Sequence, residues 1–234
     1  MATPSRLAEM TWTAFGQSLP QAIAIAISPI PIILLILMLV SSRARTNGPM
    51  FAAGWLTGVF LVAAVSYALS ESADVATDPT AADGGSAIQV VLGVLFLALA
   101  VRQWRQRPRP GVESPQPKVF SAVDTMGPAK VLGLGFVAAT ANPKNLPLAI
   151  SGGVTIAEVG ATTSEGLLAV ALFSLAASAT VLIPVLAVLA LGDRTRGPLD
   201  ELRVWLLANN STIMMVLFAI LGAKMLGSGL ALAS

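Results

Sequence analysis

The run LPQAIAIAISPIPIILLILMLV, residues 19–40, carries no charged side chain and is interrupted halfway by Ser28-Pro29-Ile30-Pro31. As a helix its 22 residues span about 33 Å, the thickness of a hydrocarbon core. Five further apolar runs follow, at roughly 50–69, 86–102, 129–155, 166–191 and 207–231, and none of the six contains Asp or Glu. They are too long, and too free of alternation, for the strands of a membrane barrel. The expectation is an all-α integral membrane protein with six spanning helices. Composition agrees: 55% of the 234 residues are hydrophobic, 11% are charged, and mean hydropathy is +0.79, outside the balance of a soluble domain.

The charges between the runs give a direction. Eleven of the fourteen Lys and Arg residues lie in alternate loops: Arg43 and Arg45; Arg102, Arg105, Arg107, Arg109, Lys118 and Lys130; then Arg194, Arg196 and Arg203. The intervening loops carry Glu71, Asp74, Asp78 and Asp83, then Glu158 and Glu165, and no Lys or Arg. The basic loops are expected in the cytoplasm, which places both termini outside and Trp12 and Phe15 at the outer interface. The N-terminal segment lacks the pattern of a cleaved signal peptide. The expected site is the cytoplasmic membrane. The net charge of +2 and pI near 9.4 follow from these loops and point to no nucleic acid.

Matched interruptions organise the spans further. Span one is broken by Ser28-Pro29-Ile30-Pro31 and span four by Asn142-Pro143-Lys144-Asn145-Leu146-Pro147. Proline lacks an N–H and clashes with the preceding turn, so Pro29, Pro31, Pro143 and Pro147 strip backbone carbonyls of their helical partners at membrane depth. Ser28, Thr140, Asn142 and Asn145 are polar side chains able to satisfy them. The proline-rich stretch 103–128 separates residues 1–102 from residues 129–234, three spans on each side. Because three is odd, the halves enter the membrane in opposite senses, and a 3+3 inverted repeat is expected, with helices one and four broken.

Lys144 lies near the middle of span four, where a cation costs about 3 kcal/mol on insertion scales and requires company. No spanning carboxylate offers it, which leaves backbone carbonyls, Asn amides, water or an anionic ligand; the anionic ligand is preferred. Lys224 in span six lies closer to the outer end and either snorkels or turns inward as a second substrate cation. Gly54 and Gly58 fit a close helix crossing, within the chain or between chains, and Ser174, Ser178 and Thr180 in span five read as helix packing. Asp193, Arg194, Arg196, Asp200, Glu201 and Arg203 read as solvated loop. With no Cys and no His, thiolate and imidazole metal sites and the commonest nucleophile–base pairs are excluded. No phosphate-binding glycine loop, metal or cofactor is expected, and an enzyme is disfavoured.

At these residues the chain resembles the peptidoglycolipid-addressing-protein (GAP) family, a branch of the lysine-exporter (LysE) superfamily. The resemblance rests on Ser28-Pro29-Ile30-Pro31-Ile32-Ile33, Asn47-Gly48-Pro49 with Phe51 and Gly54-Trp55, and Asn142-Pro143-Lys144-Asn145-Leu146. Trp205-Leu206 with Asn209-Asn210, and Gly222-Ala223-Lys224, continue it. It implies a six-helix inverted-repeat fold, a homodimer, and export of cell-envelope lipids of mycobacteria and their relatives. The expected function is therefore a secondary transporter or flippase for an anionic or polar-headed envelope lipid. Lys144 would hold the head group and Ser28, Asn142 and Asn145 would supply hydrogen bonds, while the four prolines would let the halves rearrange. Two alternatives stand: export of a small amino acid, organic anion or other soluble solute, and a non-transporting scaffold for envelope-lipid synthesis or export proteins.

Overall fold

The structure, a computed structural model, describes residues 4–72, 79–105 and 126–232. Among the described residues every regular element is helical. Helix α1 (Pro4–Ala26) is followed by α2 (Pro29–Val40), α3 (Ala44–Ser72), α4 (Pro79–Arg105), α5 (Pro128–Thr140), α6 (Asn145–Glu158), α7 (Thr163–Ala177) and α8 (Ala179–Leu191). A 3₁₀ turn (Gly192–Thr195) then leads into α9 (Arg196–Leu232). All six apolar runs of the sequence fall on these helices.

The breaks follow from local chemistry. Proline disfavours the helical conformation of the residue before it, and Ser28 accordingly is extended, with φ −117° and ψ 98°. Pro29 opens α2, where no intrahelical N–H is needed, and the axis turns by 62° between Glu9–Ala26 and Pro29–Val40. In the second case α5 stops at Thr140, and Pro147 falls in the first turn of α6, again where its missing N–H costs nothing. A third break lies where the sequence offered no proline or glycine: α7 ends and α8 begins around Ser178, whose φ −99° and ψ 1° interrupt an otherwise continuous apolar run.

These breaks shorten the helices. By length and apolarity the described residues hold two helical stretches able to cross a membrane, Ala44–Glu71 and Ala179–Gly227, and a third if the bent pair α1–α2 counts as one. Helices α5 and α7 are shorter apolar elements. Large apolar side chains such as Leu61, Val65, Ile183, Leu186 and Ile220 are exposed, as lipid-facing residues are. The chain is an all-helical membrane protein.

The chain forms two compact units, residues 1–73 with 117–203, and residues 74–116 with 204–234. Each of the expected halves, 1–102 and 129–234, contributes to both. Of the expected linker 103–128, residues 106–125 lie outside the described residues, as do Asp74 and Asp78 of the first acidic loop.

In the first unit α3 is the rod on which α5 and α6 pack. Contact is backbone to backbone: a Cβ added at Gly54 would strike the carbonyl of Leu132, one at Gly135 the carbonyl of Phe51, and one at Gly153 the carbonyl of Ala63. A Cβ added at Gly58 would meet the side chains of Ala139 and Thr140 and the carbonyl of Phe136. The sequence left open whether Gly54 and Gly58 join helices within or between chains; they join α3 to α5 within the chain. Phe51 and Trp55 stack above this crossing, with ring centroids 6.5 Å apart. In the second unit α4 meets the later part of α9 through Gly93 and Gly222, whose missing side chains admit Leu226 and Leu97, and Phe96 stacks on Phe218 at 5.7 Å.

Candidate functional site

Ending α1 at Ala26 leaves the carbonyls of Ala24, Ile25 and Ala26 without their usual helical partners, while that of Ile23 still accepts from the N–H of Ile27 at 3.0 Å, at the negative end of a helix dipole. The structure satisfies the set mostly from elsewhere in the first unit. Lys144 Nζ donates to the carbonyl of Ala24 at 2.6 Å and to that of Ile27 at 2.9 Å. Ser28 Oγ lies 2.7 Å from the carbonyl of Ile25, and Thr180 Oγ1 donates to the carbonyl of Ala26 at 2.7 Å. A cation on the C-terminal carbonyls of a helix is the favourable pairing with the macrodipole.

The second break supplies the lysine. Asn142 Oδ1 accepts from the backbone N–H of Lys144 at 3.0 Å, while the Asn142 carbonyl accepts from the N–H groups of Asn145 and Leu146. That turn fixes Lys144 at the head of α6, one residue before Asn145. Asn145 Oδ1 lies 3.0 Å from Ser28 Oγ, so the two interruptions touch directly. The serine has one proton and two acceptors within reach, which it serves one at a time.

Ser28, Lys144, Asn145 and Ser178 are all at most 2% exposed. Among the described residues, Asn145 Nδ2 and Ser178 Oγ have no hydrogen-bond partner. Nearer the start of α1, Gln21 Nε2 reaches Ser151 Oγ and Thr155 Oγ1 of α6, each at 3.4 Å, tying the same two helices a second time.

The structure thus brings together Ser28, Asn142, Lys144 and Asn145, with Pro29, Pro31, Pro143 and Pro147 in the segments that break. Lys144 has backbone carbonyls for company here, one of the alternatives the sequence allowed. Lys224 is exposed and belongs to the second unit. Thr180, read from the sequence as packing, is instead a direct partner of the broken end of α1. The signal was present in Ser178 and Thr180, two polar side chains inside an apolar run, but nothing marked a break there.

The family model described as Sap, sulfolipid-1-addressing protein, matches residues 19–231, and the chain belongs to that family. The match agrees with a GAP-type resemblance. No curated protein and no solved structure matches the chain significantly.

Proposed function

Starting from membership of the sulfolipid-1-addressing protein family, we propose that this protein is a secondary transporter or flippase that moves an anionic or polar-headed envelope lipid outward across the cytoplasmic membrane. The observation that carries the proposal is the Lys144 clamp. A fully buried ammonium holds the exposed carbonyls of a broken helix, at the contact between two interrupted segments. A ligand anion offers that ammonium a better partner than two neutral carbonyls, since bonds in which both groups are ionised are the stronger ones. Taking it frees the end of α1, and α1 and α2 can then change their 62° relation. Binding and rearrangement are coupled because the same cation serves both.

In this reading each broken helix counts as one span, giving six, arranged as two inverted sets of three within the lysine-exporter superfamily. Two facts support the repeat. Spans one and four break at like positions, and the compact units take the first two spans of each half into one body and the third of each into the other. The termini then lie outside. A homodimer is part of what the resemblance implies; Gly54 and Gly58, occupied within the chain, would not form its interface. No cofactor or catalytic chemistry is invoked.

The test is leaflet exchange. Purified protein in phosphatidylcholine liposomes should carry a fluorescent sulfated glycolipid between leaflets faster than protein-free liposomes do. Exchange at the protein-free rate would reject the transporter reading and favour the scaffold.

A further inference from the structure

A cavity of about 410 Å³ opens in the first unit where the α2–α3 connection faces the α8–α9 connection. Its volume lies within the range of roughly 300–1,000 Å³ usual for small-molecule sites. Ser41, Ser42, Arg43 and Arg45 line one side, Asp193 and Arg196 the other. Three arginines and one aspartate therefore line it, and the carboxylate is already engaged, Asp193 Oδ1 lying 3.1 Å from Arg196 Nε. Two helices start on the cavity wall, α3 at Ala44 and α9 at Arg196, and neither has an acidic residue in its first turn. The first-turn N–H groups are largely taken, those of Ala44, Thr46 and Asn47 by the carbonyls of Ser41 and Arg43 and that of Arg196 by the carbonyl of Asp193, so the positive potential is that of the arginines.

Topology requires basic residues in inner loops, but it does not require two such loops to border one cavity. Guanidinium groups match a tetrahedral oxyanion, whose several oxygens accept bidentate bonds. Position adds to this. Helix α2 has the cavity at its C-terminal end, through Leu39 and Ser41, and the Lys144 clamp at its N-terminal end, some 18 Å away for 12 residues. A ligand held in the cavity lies against the helix whose other end meets the Lys144 clamp.

We propose that this cavity binds a sulfate or phosphate ester, with Arg43, Arg45 and Arg196 as its cationic ligands, and that it loads the head group of the transported lipid from the inner side. The lipid source rests on the transporter reading above; the oxyanion site does not.

The chain has no cysteine, so Ser42→Cys places a single thiol on the exposed cavity rim. Its alkylation rate by a neutral maleimide is measured in phosphatidylcholine nanodiscs that are plain, doped with a sulfated galactolipid, or doped with the uncharged galactolipid. A further set of plain nanodiscs receives sodium sulfate against chloride at equal ionic strength. The sulfated lipid should slow labelling about tenfold, the change expected for one charge-assisted hydrogen-bond set, and the uncharged lipid should not. Adding Arg43→Gln and Arg45→Gln, both exposed positions, should abolish the protection, as should Arg196→Gln alone. Protection by inorganic sulfate as strong as that by the lipid supports the oxyanion site and assigns it to a free anion. Equal labelling in all nanodiscs, or protection indifferent to the three arginines, overturns the proposal. Lipid exchange without protection would sink this site alone; protection without lipid exchange would sink the transporter reading and leave the site.

Discussion

Replacing Lys144 by Met removes the ammonium but keeps most of the side-chain volume, and the structure sets what that should cost. Two bonds disappear, at 2.6 and 2.9 Å, and the carbonyls of Ala24 and Ile27 lose their partners. Each orphaned buried acceptor costs about 1–3 kcal/mol, for roughly 2–6 kcal/mol together. Against this, methionine avoids desolvating a cation, a saving of several kcal/mol, although a buried charge already paired with carbonyls realises only part of it. The carbonyl loss should win by about 2 kcal/mol, a factor of roughly 30 in the folding equilibrium. Reversible unfolding in mixed micelles measures the total, and hydrogen exchange of peptides covering residues 24–32 localises it. Lys144→Arg should recover part of the loss, since it keeps the charge but must fit a larger planar group where no side-chain surface is exposed. Lys224→Met, at an exposed position, should stay within about 0.5 kcal/mol of wild type. A Lys144→Met protein as stable as wild type, with unchanged exchange at the end of α1, would refute the clamp.

Other consequences follow from contacts of the same unit. Thr180→Val keeps shape and removes the 2.7 Å bond to Ala26, and should cost about 1 kcal/mol by the same unfolding measurement. Gly54→Ala drives a methyl into the Leu132 carbonyl, which belongs to backbone and cannot swing aside; a loss of about 1–3 kcal/mol is expected. Gly16→Ala, with nothing within 4 Å, should be neutral or slightly stabilising. Glu165 Oε2 accepts from the N–H of Thr162 at 2.7 Å at the start of α7, so Glu165→Ala should lower the melting temperature by the equivalent of about 1 kcal/mol.

The first two breaks were legible in the sequence because proline acts locally: Pro29 and Pro143 dictate the conformation of Ser28 and Asn142 whatever surrounds them. The partners of Lys144 were not legible in the same way. That a lone intramembrane cation needed company followed from its residue type, but the choice among carbonyls, amides and ligand depends on where α1 ends in space. The break at Ser178 was missed for a related reason. Serine is compatible with a helix, and its interruption here accompanies a tertiary bond, Thr180 to Ala26, with no local signature. Glycine stripes were ambiguous from sequence, since Gly54 and Gly58 describe a surface that accepts a close neighbour without naming it. Charge showed the opposite failing: Arg43, Arg45 and Arg196 were read as loop residues, and only the fold reveals that their two loops border one cavity.

The most direct test of the account is to fasten the two breaks together. In the cysteine-free chain, Ser28→Cys with Asn145→Cys puts thiols on the two side chains that lie 3.0 Å apart, within reach of a short bis-methanethiosulfonate, which joins them through two reducible disulfides as methanesulfinate leaves. In liposomes the reduced protein should move the sulfated lipid between leaflets, the cross-linked protein should stop, and reductant should restore movement. Lipid exchange at the same rate with the cross-link in place would contradict the claim that transport requires these broken helices to part.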